Sequence, residues 1–337
     1  MVSRPDKGGW TLARRLGLWW RFVAVVLVGL APGLASGREL SVADTHVEDY
    51  PTVQALKLMG KLLADRSQGR LTLKVYHSRQ LGEEKETIRQ AQMGAVDLVR
   101  VNLAPFNELV PETVVPSLPF LFRSVQHMHK VMDGPLGAEI LKAFERHGLV
   151  GLAYYDSGAR SFYTAKKMIQ QPADLAGLRI RVQQSPLFMA MVEALGAIPV
   201  PLAYGQVQVG LSTGVVDGAE NNIPSYQEAG HFRTAGYYGL TEHTMAPEVL
   251  AMSKKVWDGL SPEDQIMIRK AAQDSVPMMR RWWQEREESS RTMVVRGGAM
   301  VEEVDKKPFA LLMRPLYDRF AADPDLKDLV RRVQAVE

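Results

Sequence analysis

Residues 39–44 (ELSVAD), 71–76 (LTLKVY) and 95–101 (AVDLVRV) decide the fold. Each is short, rich in Leu and Val, and bounded by glycine or polar residues, which is the signature of a strand. Between the first two, residues 50–67 place Val53, Leu56, Met59, Leu62 and Leu63 on one helical stripe, and Gly69 stops the run. Between the second and third, residues 83–93 read as another helix, closed by Gly94. A strand–helix–strand–helix–strand order requires crossover connections. It therefore predicts a parallel or mixed sheet with helices on both faces.

Outward from this unit the pattern repeats. Residues 137–147 read as helix, 149–155 and 179–182 as strands, 186–195 as helix, 198–201 as strand and 206–212 as helix. Residues 215–220 (VVDGAE) read as a strand running into Asn221 and Asn222. From Leu250 the chain reads as helical, and Ser261-Pro-Glu-Asp264 caps one long helix over 265–291. That helix carries Trp282 and Trp283 toward a core and a charged face at Glu285, Arg286, Glu287 and Glu288.

The 337 residues begin with a targeting segment. Arg4, Lys7, Arg14, Arg15 and Arg21 form a basic region before an apolar run over 22–30 (FVAVVLVGL), and small residues offer cleavage after Ala35 or Gly37. The run is too short for a span of about 20 apolar residues, so a cleaved secretory signal is expected over 1–36. Arg14-Arg15 leaves the twin-arginine route open beside the general one. This leader holds five of the 41 basic residues and one of the 38 acidic ones, leaving 36 basic against 37 acidic. The apparent basicity belongs to the leader, and nothing in the remainder points to nucleic acid. With no cysteine, the chain has no disulfide, thiolate nucleophile or cysteine metal site. About 300 residues without disulfides must rely on a packed core and by size divide into two lobes.

Two arginines interrupt apolar segments: Arg160 in GLAYYDSGARSFY (151–163) and Arg181 in DLAGLRIRV (174–182). A guanidinium is always charged, and its planar fork matches a carboxylate two bonds at a time. Buried at a strand end it needs an anion, either an internal one (Asp156, Asp174 or Asp217) or a captured carboxylate. Gly210-Leu-Ser212-Thr-Gly214, followed by Asp217, His231 and His243, fits a serine-hydrolase pattern, but such an elbow needs a strand before the serine and a helix after it. Here the order is reversed. His127-Met-His129 diverge on a helix and read as surface, with no third metal ligand near. Two exported α/β lobes without a catalytic set suggest a hinged binding protein whose ligand sits outside the carboxyl ends of the strands. Asp44 to His46, Arg100 and Asn102, Asp156 and Arg160, Arg181, and Glu220 to Asn222 would converge there. Glu84, at a helix start after Gly82, also points into such a cleft.

Four motifs carry a resemblance: Gly158-Ala-Arg160-Ser-Phe-Tyr163, Leu175-Ala-Gly-Leu-Arg-Ile-Arg181-Val182, Gly214-Val-Val-Asp-Gly-Ala-Glu-Asn221 and Leu260-Ser-Pro-Glu-Asp-Gln265. Together they resemble the solute-binding component of tripartite ATP-independent periplasmic (TRAP) transporters, over essentially the whole chain after the leader. The resemblance implies a two-lobe α/β fold of the hinged periplasmic type, with lobe I over 37–157 and 246–285 and lobe II over 158–245 and 286–330. It implies a monomer in the periplasm that delivers a carboxylate ligand to membrane permease subunits, with no cofactor or metal and no enzymatic step.

By the same resemblance Arg181 holds the ligand carboxylate, Arg160 assists and Asn221 contacts ligand. Glu84 and Lys85 occupy the polar pair after Gln-Leu-Gly, and Tyr204 stands where the family often has Phe. Asn102 marks a ligand-contacting strand end, with His46 and Asn222 as further contacts. Two arginines plus Asn102, Asn221, Asn222, Glu84 and His46 suit several hydroxyls. The expected ligand is therefore a sugar acid such as glucuronate or galacturonate, with a C4-dicarboxylate or 2-oxo acid as the alternative.

Overall fold

The computed structural model describes residues 37–337; the expected signal segment lies outside them. In chain order the strands are β1 (Arg38–Ala43), β2 (Leu71–Tyr76), β3 (Leu98–Asn102), β4 (Leu149–Tyr155), β5 (Arg160–Thr164) and β6 (Arg179–Val182). They continue as β7 (Ile198–Pro201), β8 (Gly218–Asn221), β9 (Tyr237–Thr244), β10 (Glu248–Ser253) and β11 (Met300–Glu303). They form two mixed sheets, ordered β2-β1-β3-β10-β4 and β11-β9-β5-β8-β6-β7. In the first, β1 runs parallel to β2 and β3, and β10 lies antiparallel between β3 and β4. In the second, β6 is parallel to β7 and β8, while β5 is antiparallel to β8 and β9.

Strand alternation explains how the first sheet is covered on both faces. Leu40, Val42, Leu98, Leu250 and Met252 face the helix Pro51–Arg66 and the first half of the long helix Pro262–Arg296. Ala43, Val99, Val101, Val249 and Ala251 face the opposite core. Proline at its start and the left-handed Gly69 (φ 79°) just beyond its end set the limits of the first helix. The long helix starts where Ser261 Oγ accepts from the Asp264 amide (3.1 Å), and it runs on to Val294, which packs in the second sheet's core.

The chain crosses between the sheets three times: at 156–159, at 245–247, and along the long helix. These crossings are where the sequence reading falls short. The helix expected from Leu250 is instead β10, the antiparallel strand buried at the middle of the first sheet. EVLAMS is apolar on both faces and made of residues equally at home in a helix, so no period marks it as a strand. For the same reason β5 and β9 show no alternation. The strand expected over 215–220 is confined to Gly218–Asn221.

Candidate functional site

Between the two sheets a narrow polar cleft leaves about 300 Å³ of space free of protein atoms, part of it open to solvent. Thr45, His46, Glu84 and Glu248 line it from the first sheet, and Arg160, Arg181, Gln183, Tyr204, Asn221, Asn222 and Ser225 from the second. Of the residues expected to touch ligand, all but Asn102 line it, whereas Asp44, Arg100, Asp156 and Glu220, also expected at the cleft, lie outside its lining in ion pairs with protein partners.

Arg160 is largely committed to protein partners. Its Nε and Nη2 hold the two Glu220 oxygens at 2.6 and 2.9 Å, Nη2 also reaches the Glu220 carbonyl (3.0 Å), and Nη1 donates to Asn221 Oδ1 (2.7 Å). Four of its five N–H groups are engaged. The partner is none of the three acids considered from the sequence. Asp156 binds His129 (2.8 Å) and Arg280, Asp217 binds Arg179, and Asp174 accepts from the amides of Gln170 and Gln171. Burial would raise the Glu220 carboxyl, but Arg160 and then His243, 3.6 Å away, overcome it and hold it at about 2.

Arg181 is the opposite case. It is 2% exposed, yet among the described residues its guanidinium makes one hydrogen bond, from Nε to the Leu202 carbonyl (2.9 Å), and no salt bridge. Burial pulls it below the usual arginine value; Glu220 pulls the other way without meeting it. Both Nη groups are left for the cavity. Across from it, Glu84 is almost as poorly served: its nearest donor is the Asn102 amide at 3.5 Å. Burial, then the neighbouring Glu248 charge, raise its carboxyl above the ordinary range.

The remaining wall is held by the fold. His46 stacks on Tyr50 at 3.8 Å with its Nδ1 3.5 Å from Glu228, and Tyr204 donates to that same carboxylate. Asn222 caps the helix Ile223–Glu228 through the Ser225 amide (2.8 Å) and donates to the Ser157 carbonyl at the first crossing (2.8 Å). Asn221 accepts from Arg160 and the Asn222 amide, leaving its Nδ2 without a protein partner among the described residues. Asn102 sits behind the wall: its Nδ2 donates to Ala246 O (2.9 Å) and Glu248 Oε1 (3.3 Å), and its Oδ1 accepts from Ala104 (3.1 Å). Its Nδ2 serves the second crossing and its Oδ1 the turn after β3, so it positions Glu248 rather than facing the cavity. Lys85, its pair-mate Glu84 inside, turns out to Glu108 (2.9 Å).

Glu248 and Gln183 line the cavity but escaped sequence reading. Glu248 opens the strand misread as helix. Gln183 stands two residues beyond Arg181, a spacing that puts both on one side of a strand and could have disclosed it.

The hydrolase pattern dissolves in three dimensions. Ser212 ends the helix Val207–Ser212 exposed to solvent, its Oγ bonded to Val209 O (3.1 Å). His231 binds the Tyr163 hydroxyl (2.7 Å), His243 binds Thr241 (2.9 Å), and Asp217 belongs to Arg179. His127, expected at the surface, is buried with Nε2 on Val333 O (3.1 Å), because its helix packs under the C-terminal one. Among the described residues no cluster of three acidic or histidine side chains has metal-site geometry, and no helix is long and apolar enough to cross a membrane.

Two α/β lobes joined by three crossings around a polar cleft define a hinged solute-binding protein. The model of the bacterial extracellular solute-binding protein family 7 (DctP) matches residues 42–323. The chain belongs to this family, the solute-binding proteins of TRAP transporters, which are periplasmic substrate-binding components working with a membrane permease. It is similar to a TRAP solute-binding protein from Bradyrhizobium sp. BTAi1 solved with α/β-D-galacturonate: 55% identity, TM-score 0.87, 88% of this chain and 99% of that one. A homologue from Xanthobacter autotrophicus Py2 with bound β-D-galacturonate is 48% identical, with TM-score 0.87 over 88% of this chain and all of the other. One from Pseudomonas putida F1 with D-glucuronate is 40% identical, with TM-score 0.86 over 89% and 98%.

Proposed function

We propose that this chain, exported by a cleaved signal over 1–36, is a monomeric periplasmic receptor for a hexuronate such as D-galacturonate or D-glucuronate. It hands the acid to its TRAP permease chemically unchanged. Arg181 holds the carboxylate through its two open Nη groups, with Asn221 and the last N–H of Arg160 beside it. Glu84, from the other lobe, accepts ring hydroxyls. The lobes divide at 37–157 plus 246–285 and 158–245 plus 286–330, so ligand joins one lobe to the other.

One observation carries this reading: among the described residues, of the three guanidinium groups buried around the cleft, only that of Arg181 lacks a carboxylate. A four-carbon dicarboxylate needs two open cations, and Arg160 and Arg100 are already committed. A second carboxylate would also meet Glu84 and Glu248. A single acid group followed by hydroxyls fits, and that is what the solved homologues hold.

A thermal-shift panel of D-galacturonate, D-glucuronate, succinate and a 2-oxo acid tests it. A ligand at a hundredfold its Kd stabilises by about 2.7 kcal/mol, so a uronate should raise the melting temperature well above the other acids. A larger shift with succinate would replace this reading by the dicarboxylate one. NMR of the recovered ligand should show no chemical change; turnover that disappears in Ser212→Ala would establish a hydrolase instead.

A further inference from the structure

Among the second lobe's wall groups, Gln183 stands apart. It is 6% exposed, lies on the cavity, and its Oε1 is buried with no hydrogen-bond partner among the described residues. Its Nε2 makes no hydrogen bond to them either, so the side chain carries a buried, uncommitted acceptor and a donor open to the cavity. Burying an amide unpaired is unfavourable, and native interiors rarely tolerate it without a function.

Tyr204, Ser225 and Asn222 beside it do not share this state. Tyr204 donates to Glu228, Ser225 Oγ meets the Tyr50 hydroxyl at 2.9 Å, and Asn222 is used at both ends. The placement of Gln183 is also specific. Ile180 and Val182 pack into the core on one side of β6, so Arg181 and Gln183 project from the other, one strand repeat apart. Consecutive same-side positions are about 6.6 Å apart along a strand, so the two side chains can converge on neighbouring groups of one bound ring.

We infer that Gln183 is a specificity-determining residue that hydrogen-bonds the ligand hydroxyl on the ring carbon adjacent to the carboxyl-bearing carbon, while Arg181 holds the carboxylate. The inference rests on the uronate reading of this cavity. An amide offers both a donor and an acceptor and can turn over about its last bond, so it satisfies a hydroxyl in either direction. Glu84, reaching from the other lobe, is left for hydroxyls farther round the ring. The pair Arg181–Gln183 then sets a register: acid first, neighbouring hydroxyl second. A site built to bond a hydroxyl rejects the analogue lacking it much more strongly than an apolar pocket would, because its own polar group is left unpaired.

The test is a titration of D-galacturonate and its 4-deoxy analogue against the wild-type chain, Gln183→Met and Gln183→Leu. Both variants replace the amide by an apolar group of similar reach and should fold, since each removes an unpaired buried carbonyl. Wild type should prefer D-galacturonate over the 4-deoxy acid by on the order of tenfold to a hundredfold. In both variants that preference should fall to about threefold or less. An unchanged preference in the variants overturns the inference and leaves uronate binding intact. Absence of binding by the wild-type chain to either acid overturns the uronate reading itself.

Discussion

Arg100 and Arg181 sit in corresponding places, each within a parallel-paired strand of its own sheet and each buried, yet their surroundings are opposite. Arg100 Nε bonds Asp44 at 2.8 Å, its Nη1 bonds Glu248 at 2.6 Å, and its Nη2 engages Asp44 and Thr45. Burial alone would loosen its proton, but Asp44 and Glu248 hold it more firmly than usual. Arg181 has a single backbone carbonyl. One guanidinium is part of the scaffold that ties β1, β3 and β10 together; the other is left open toward the space between the lobes. A buried charge thus reports function only after its partners are counted.

That contrast can be broken first on stability. Arg100→Ala leaves Asp44 and Glu248 buried and unpaired and should destabilise the fold by about 3–5 kcal/mol. Arg181→Ala removes a desolvated charge that has no carboxylate, so urea unfolding without ligand should show no loss or a small gain. Equal losses in the two variants would erase the distinction.

Acid sharpens it further. Glu220 is held at about 2 against 4.5 unperturbed, so the stability from its pair with Arg160 is fully present above about 4.5 and is lost as the pH falls through about 2. His231, buried with its charge disfavoured further by Arg181, is lowered from 6.5 to about 3. The unfolded chain therefore takes up a proton between these values that the folded one refuses, and stability falls with pH across that window too. Urea midpoints from pH 7 to 2.5 should decline continuously from about 6.5 downward. In His231→Gln the decline between about 6.5 and 4.5 should be shallower than in wild type, with the remainder due to His243 and His127, which burial also lowers.

A smaller effect belongs to Glu84. Glu84→Gln should change affinity for hydroxylated acids by less than about tenfold and alter the ranking between C2 or C3 epimers, because the common carboxylate is untouched. Since burial raises its carboxyl, wild-type affinity should weaken on acidification at a higher pH than an ordinary glutamate would give, and titrations with Glu84→Gln should not show that weakening. The smallest change expected is at Glu83, which is partly exposed and accepts from the Gly205 amide across the cleft at 3.2 Å. Glu83→Gln should cost about 1 kcal/mol or less of ligand-induced closure, read by scattering.

What the sequence disclosed follows the same division. Strands that alternate, and those bracketed by glycine, were legible: β2, β4, β6 and β7 stand where residues 71–76, 149–155, 179–182 and 198–201 predict them. Among the strands next to the crossings, β5, β9 and β10 were not, because they are buried on both faces and carry no period, and β5 and β10 lack the glycine that precedes β4. The arginines were conspicuous because charge in an apolar segment demands an explanation. Which of them was free could not be read, since the partner of Arg160 is Glu220, sixty residues away on the neighbouring strand. Glu248 went unseen with its strand. Asn102 stood at the right strand end but turns its amide to Ala246 and Glu248.

The most direct measurement is calorimetric titration of D-galacturonate into the wild-type chain and Arg181→Lys. Lysine keeps the charge but loses the planar fork, and charge-assisted hydrogen bonds contribute about 1.5–3 kcal/mol each. The variant should bind on the order of tenfold to a hundredfold more weakly with unchanged stability in the absence of ligand. Wild-type affinity in Arg181→Lys would mean that the open guanidinium does not hold the carboxylate, and the account of the site would be wrong.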